Sequence, residues 1–343
     1  MQKVLHEFKH VHPIFDEMER MYAYTSEIDK PKVLVKTLFP KEFEKLFELF
    51  NTYGVYKYQV KFKDCAFNSL DLQKNHKNHE NNDIIVAFSS GKDSTATALW
   101  YKQHGYNVYL YHAIGLNPSY PDEWKRAEEI AEYLNLPLVK EKFTLEGKKD
   151  FIEHPLKNII IVNGAISWAV RNGVRPNIAV GNYTSPDIAS LDNNPFYICG
   201  DDCIEMWDAY EYSMQSIIPG FKVNLCLENI QSTYEILTTD MKLFESAQSC
   251  LGPHRFRQWT HDKNESKYNI KLLKNRCGSC WKCAYEYIWL ADHDLQEYNR
   301  DYYKHCIDVL VKESKREYNI KFKDSGDFWQ SWFTHESKYF NEV

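Results

Sequence analysis

Along most of the chain, apolar residues recur in two rhythms: short continuous runs that suit buried strands, and stripes at three- and four-residue spacing that suit helices. Ile84, Ile85, Val86, Ala87 and Phe88 form the first such run, and Thr95 to His104 carries apolar residues at helical spacing with Gly105 as its stop. Asn107 to Ala113 predicts a second strand, Asp122 to Leu134 a helix striped by Trp124, Ala127, Ile130, Ala131 and Leu134, and residues 136–143 a third strand. Ile159 to Arg171 predicts the next helix and Pro176 to Gly181 a fourth strand. A helix opening at Gly200 and running to about Ser216, then a strand from Lys222 to Leu227, complete the alternation. Strands alternating with helices predict an α/β fold with a doubly wound, mostly parallel sheet and right-handed crossovers. Ligands of such sheets sit beyond the carboxyl ends of the strands.

Ahead of this core, Lys41 to Tyr53 places Phe43, Leu46, Phe47 and Phe50 on one face of an amphipathic helix, and residues 53–62 alternate like a strand. The pattern predicts an α+β extension over residues 1–75 and a polar linker at 76–82, where His76 and His79 read as solvated. The catalytic domain is expected at 83–245, a metal-binding region at 246–292 and a helical, aromatic-rich extension at 293–343.

Composition narrows the function classes. A chain of 343 residues with 43% hydrophobic content can bury one large α/β core plus appended segments. A net charge of −6 offers no general attraction for nucleic acid, so a nucleic-acid binder would need a local basic patch. The N-terminus lacks an apolar leader, and nowhere do the roughly eighteen uninterrupted apolar residues of a spanning helix occur, so a soluble, cytoplasmic protein without membrane contact is expected. Many of the 24 Tyr, 19 Phe and 9 Trp lie in the terminal segments, which suggests packed helices or a surface for a homodimer or protein partner.

The first core run leads into Ser89-Ser90-Gly91-Lys92-Asp93-Ser94 and then into a helix. Small, hydroxyl-bearing residues let backbone N–H groups turn toward an anion, and the helix start adds its own donors and positive dipole end. The spacing is not the Walker pattern, because position 86 is Val where a Gly is required. An ordinary polar turn with Asp93 as its cap is the plain alternative. Downstream, Asn182 to Asp187 follow a strand at the ligand edge, and Asp201 and Asp202 open a helix, where paired Asp is also a normal cap.

Of nine cysteines, Cys277, Cys280 and Cys283 form C-x-x-C-x-x-C, which in a cytosolic chain argues for metal before disulfide. Thiolates in a short loop and first helical turn suit zinc, ahead of an iron–sulfur cluster, and a closed zinc site needs a fourth ligand. Cys250 is the candidate, with His254 or His261 as substitutes. Cys65 and Cys226 read as small buried hydrophobes.

The loop resembles the S-G-G-x-D-S motif of the PP-loop ATP pyrophosphatases through Ser89, Gly91, Asp93 and Ser94, with Ser90 standing where that motif usually has Gly. With Val180-Gly181-Asn182, Asp187, Asp202-Cys203, Ser249-Cys250 and Cys277-Gly278-x-Cys280-x-x-Cys283, the chain is similar over residues 83–292 to the 7-cyano-7-deazaguanine synthase family. It departs from that family in the 26 residues between Cys250 and Cys277 and in lacking a Gly-Gln signature within Ile114 to Pro118. The resemblance implies a PP-loop fold with a C-terminal zinc region, ATP and Mg²⁺ as cofactors, and structural Zn²⁺ on Cys250, Cys277, Cys280 and Cys283. It further implies ATP contacts from Ala87, Phe88, Ser89, Ser90, Gly91, Lys92, Asp93, Ser94 and His112, with Ser89, Lys92, Asp93 and Ser94 in the catalytic loop. Acceptor contacts are implied for Asn163, Gly181, Asn182, Asp187, Asp202 and Cys203.

The implied reaction is activation of a deazapurine carboxylate as an acyl-adenylate, with release of pyrophosphate, followed by ammonia attack to an amide or nitrile. Two alternatives remain: thiolation of tRNA or another acceptor, with Cys199 or Cys203 carrying sulfur, and a nucleotide-binding module that works by contact alone.

Overall fold

The structure is a computed structural model that describes residues 3–25, 32–53, 57–64, 82–116, 123–146, 156–184, 204–247, 254–274, 276–317 and 338–339. Its chain forms two compact units, Met1–Ala247 and Gln248–Val343.

The first unit contains β1 (Lys3–His6), α1 (Pro13–Thr25), β2 (Lys32–Pro40), α2 (Glu44–Tyr53), β3 (Lys57–Lys63), β4 (Asp83–Ala87) and α3 (Lys92–Gln103). It continues with β5 (Asn107–Ile114), α4 (Glu123–Leu134), β6 (Leu138–Glu146), α5 (Leu156–Arg171), β7 (Ile178–Ala179), α6 (Ile204–Gln215), β8 (Val223–Asn224), α7 (Ile230–Thr238) and α8 (Met241–Ser246). Six strands make one sheet in the order β1-β6-β5-β4-β7-β8. Five of them are parallel, and β1 pairs antiparallel with β6 at the edge. Counted from β4, the parallel strands run 3-2-1-4-5, so the order reverses between β4 and β7, and α/β sheets open a ligand crevice at such a reversal.

Burial explains the central strand. Asp83 to Val86 are buried, as a parallel strand covered on both faces requires, and the one polar member, Asp83, accepts from Asn107 Nδ2 at 3.2 Å. The helix after it starts at Lys92, three residues before the apolar spacing alone suggests. Thr95 Oγ1 donates to Gly91 O at 2.7 Å and Thr97 Oγ1 to Asp93 O at 2.9 Å, so hydroxyls that would otherwise compete with the backbone are satisfied inside the first turns.

The described residues between 3 and 64 contribute to the first unit's core. Ile14, Phe15, Phe39 and Phe47 belong to the same apolar cluster as Ile85, Phe143, Ile166 and Tyr210. The expected aromatic face is buried, with Phe39 and Phe47 ring centroids 4.9 Å apart, and a short 3₁₀ turn at Lys41–Phe43 precedes α2. β2 and β3 pair parallel in a separate two-stranded sheet. Inside the unit, His10 lies 2.6 Å from Glu19 Oε2 through Nε2 and 3.0 Å from Ser167 Oγ through Nδ1, and Arg171 pairs with the buried Glu141. This Ser-His-Glu set ties α1 to α5 and is no nucleophile, because Ser167 is wholly buried.

The second unit contains α9 (His254–Tyr268), α10 (Trp281–Asp292) and α11 (Arg300–Glu317). Several of its described aromatic residues are core: Tyr302 and Tyr303 have no exposed surface, and Tyr302 stacks edge-on against Tyr287 at 4.6 Å. Among the described residues, no helix is long and apolar enough to cross a membrane.

Candidate functional site

At the sheet's switch point, the ends of β4, β5 and β7 and the first turns of α3 and α5 surround a cavity of about 200 Å³. Its walls include Ala87, Phe88, Ser89, Asp93, Ser94, His112, Gly181 and Asn182, so eight of the residues expected to touch ATP or acceptor share one cavity. Ligand pockets commonly measure roughly 300–1,000 Å³. Residues 117–122, 147–155 and 185–203, which follow β5, β6 and β7, lie outside the described residues.

The loop is laced by its own hydroxyls. Ser89 N donates to Ser94 Oγ at 3.2 Å and Gly91 N to Ser89 Oγ at 3.3 Å, both long for such bonds. Asp93 is fixed from two distant elements: Tyr183 OH donates to its Oδ1 at 2.7 Å and Thr233 Oγ1 to the same oxygen at 3.1 Å. Gly181 permits this meeting. A Cβ there would stand 2.7 Å from Ser94 N and 2.8 Å from Asp93 C, so only glycine lets the backbone after β7 lie against the start of α3.

Ser90 holds a backbone conformation that glycine adopts more easily. Its φ is +56°, a left-handed conformation that costs an L residue on the order of 1 kcal/mol. The side chain is held all the same: Arg126 Nε donates to Ser90 Oγ at 3.0 Å, and that Oγ donates to Glu123 O at 3.3 Å. Ser90→Gly should therefore melt within about 1 kcal/mol of the parent, whereas Ser90→Ala keeps the strain, loses both bonds and should be about 1–2 kcal/mol weaker in urea unfolding. Equal midpoints for the two variants would show that the left-handed backbone is not what the site demands.

His112 faces the cavity with Nδ1 2.8 Å from Phe88 O. Burial holds its pKa below the usual value, the bond to Phe88 opposes that, and Arg126 and Lys140 reinforce it, so the ring is neutral near pH 7. Nδ1 then donates and Nε2 accepts.

Four expected contacts among the described residues are not cavity walls. Lys92 is 2% exposed and its ammonium lies 4.8 and 4.7 Å from the ring centroids of Tyr234 and Phe244, between α7 and α8. Ser90 and Gly91 are also absent from the lining: Ser90 is buried, and Gly91 is half-buried with its N–H bond to Ser89 Oγ at the surface. Asn163 sits in the core, where Oδ1 accepts from Tyr210 OH at 2.6 Å and Nδ2 lies 3.4 Å from Met18 Sδ. Asp187, Cys199, Asp202, Cys203 and Cys250 lie outside the described residues. Sequence reasoning missed Glu123, Lys157, Asn158 and Ile161, which also line the cavity. Lys157 and Asn158 stand in the first turn of a helix that follows a strand of this sheet, and that position is the one signal that points to them.

In the second unit, the Cys277, Cys280 and Cys283 sulfurs lie within 4.8 Å of one another, with Cys277 and Cys283 Sγ 3.9 Å apart. Tetrahedral Zn–S bonds of about 2.3 Å place two sulfurs about 3.8 Å apart, so this spacing suits a metal such as zinc. Ser279 N and Cys280 N donate to Cys277 Sγ at 3.4 and 3.3 Å, which favours a thiolate. Gly278 turns the loop at φ +69° under Tyr302 OH, which donates to Gly278 O at 2.8 Å. Asn264 Nδ2 bonds Cys277 O at 3.0 Å and Ser279 Oγ at 2.8 Å. His261 is engaged elsewhere, with Nδ1 2.8 Å from Arg276 O and Nε2 3.3 Å from Glu265, and the cysteine group does not include it.

No family model matches the chain. Nor does any curated protein.

Proposed function

We propose that the chain is an ATP-dependent ligase of the PP-loop kind, similar to the 7-cyano-7-deazaguanine synthases, that adenylates a substrate carboxylate and uses ammonia to form an amide or nitrile. The observation that carries this reading is the meeting of Ser89–Ser94 with Gly181 at the switch-point cavity, with Asp93 held by Tyr183 and Thr233.

ATP binds with its β- and γ-phosphates against the loop, where the N–H groups of Ser89 and Gly91 exchange long internal bonds for phosphate oxygens. Asp93 is the carboxylate that would hold Mg²⁺, which supplies neutralisation of charge on the leaving pyrophosphate. A carboxylate oxygen of the acceptor attacks the α-phosphorus as the bond to pyrophosphate breaks; ammonia then attacks the acyl carbon and AMP leaves, giving the amide. A nitrile requires a second ATP, whose α-phosphorus takes the amide oxygen as pyrophosphate breaks away, so that the oxygen departs with AMP. The chain's contribution is mostly placement and electrostatics. Cys277, Cys280 and Cys283 would hold a structural Zn²⁺, with Cys250 as the fourth ligand that the resemblance implies.

The test is pyrophosphate release over a panel of deazapurine carboxylates, amides and free nucleobases with ammonia present. Release that requires a carboxylate, with AMP and an amide or nitrile as products, supports the reading; no release with any acceptor refutes it. Asp93→Ala should lower release by at least about 10²-fold. Its melting temperature should fall only a few degrees, since two weakly held hydroxyls lose their acceptor. Unchanged release in that variant removes Asp93 from the reaction.

A further inference from the structure

The net charge conceals an opposite charge in one segment. Residues 254–283 hold eight Lys and Arg against Asp262 and Glu265, a net of +6, which leaves −12 on the rest of the chain. Much of this basic charge is presented with aromatic rings. On α9, Trp259 is 62% exposed, Lys263 lies over its ring at 5.0 Å, and Lys267 follows one turn later over Tyr268 at 4.5 Å. Residues 259, 263 and 267 share one helix face by their four-residue spacing, and both lysines are exposed. The chain continues through exposed Lys271 and Lys274, and Lys282 lies over Trp281 at 5.3 Å. Lys263, Lys267, Lys271 and Lys274 make no ion pair among the described residues.

We infer that this face of α9 is a docking surface for single-stranded nucleic acid. Unpaired lysines supply phosphate contacts, and an exposed indole supplies a platform on which an unpaired base can stack whatever its identity. Charge complementarity selects a polyanion, and the exposed ring distinguishes a strand with free bases from a duplex, whose bases are stacked inside. The surface lies in the second unit and stands independently of the adenylation reading.

The experiment uses the full chain with fluorescein-labelled oligouridylate and oligothymidylate of about 16 nucleotides, read by anisotropy between about 50 and 200 mM salt. Three phosphate contacts on a single strand give a log–log salt slope of roughly −2, so affinity should fall roughly 20-fold over that range. Lys263→Glu with Lys267→Glu should weaken binding at least about 10-fold and flatten the slope, and Trp259→Ala should weaken it roughly 10-fold with the slope unchanged. These variants should keep the parent's melting temperature and its pyrophosphate release, because the altered side chains are exposed and outside the cavity. Asp93→Ala should bind the oligonucleotides as the parent does. The inference fails if neither oligonucleotide binds at about 50 mM salt, if the α9 variants bind undiminished, if Asp93→Ala loses binding, or if polyglutamate of equal charge or a duplex competes as well as the single strand.

Discussion

Gly181→Ala is expected to lower pyrophosphate release by about 10²-fold while leaving a folded protein. The added methyl would meet three backbone atoms, Ser94 N at 2.7 Å, Asp93 C at 2.8 Å and Ser94 Cα at 3.0 Å. No flexible side chain end is available to yield, so the start of α3 or the backbone after β7 must shift. Overpacking of this kind costs typically about 1–3 kcal/mol, a drop of several degrees in melting temperature for a unit of this size. Catalysis suffers more than stability, because a displacement on the order of 1 Å carries Asp93 away from Tyr183 and Thr233 and misplaces the phosphate loop. Gly105→Ala is the matched control: φ is +78°, but nothing lies within 4 Å of the added Cβ, so only the conformational cost of about 1 kcal/mol applies and release should be unchanged. Parent-like turnover in Gly181→Ala would show that the close approach of these two segments has no part in the reaction.

The elements of the sheet were legible where burial writes itself into a run of residues. Ile84 to Val86 cannot be solvated in any arrangement, and the stripe of Ala127, Ile130, Ala131 and Leu134 is buried on α4 as its spacing requires. β1 was not legible, because four residues, KVLH, carry no periodicity of their own and become a strand only by pairing with β6. β7 and β8 hold two residues each where the pattern predicts six, since the pairing is interrupted at Gly181, which lies against α3, and resumes only as a single bridge between Tyr183 and Leu227.

The side chains of the site divide by the direction each faces, which a one-dimensional pattern records only in part. Lys157, Asn158 and Ile161 line the cavity from α5. Asn163 lies two residues beyond Ile161, about 200° around the helix, and so meets Tyr210 and Met18 on the opposite side. Lys92 and Asp93 differ by one residue and about 100°, enough to send one into the aromatic rings of Tyr234 and Phe244 and the other to the cavity. Those rings come some 140 and 150 residues later in the chain, so nothing near the motif announces them. What strict spacing did carry was position: the six-residue loop reaches the cavity through Ser89, Asp93 and Ser94, and the three cysteines lie close enough to share one ion.

Cys280→Ser is the substitution expected to cost most. Hydroxyl oxygen is a poor substitute for thiolate toward a soft metal, whereas the backbone N–H of residue 280 that donates to Cys277 Sγ at the start of α10 is kept, so the loss falls on metal binding. Structural zinc contributes on the order of 10 kcal/mol of folding free energy in small peptide systems, comparable to the whole stability of many domains. Without metal, the buried sulfurs of Cys277 and Cys283 would be left facing one another, with Gly278 still turned at +69° beneath Tyr302. The variant should retain less than one tenth of the parent's metal on elemental analysis, and the second unit should unfold tens of degrees earlier, with α10 and α11 losing their amide protection. The first unit's cavity lies wholly within residues 87–182, so ATP-dependent quenching or protection of Ser89 to Ser94 should persist if that unit folds alone. A Cys280→Ser protein that melts with the parent while holding no metal would show that the hydrogen bonds of Asn264 and Tyr302, and not an ion, organise the cysteine loop.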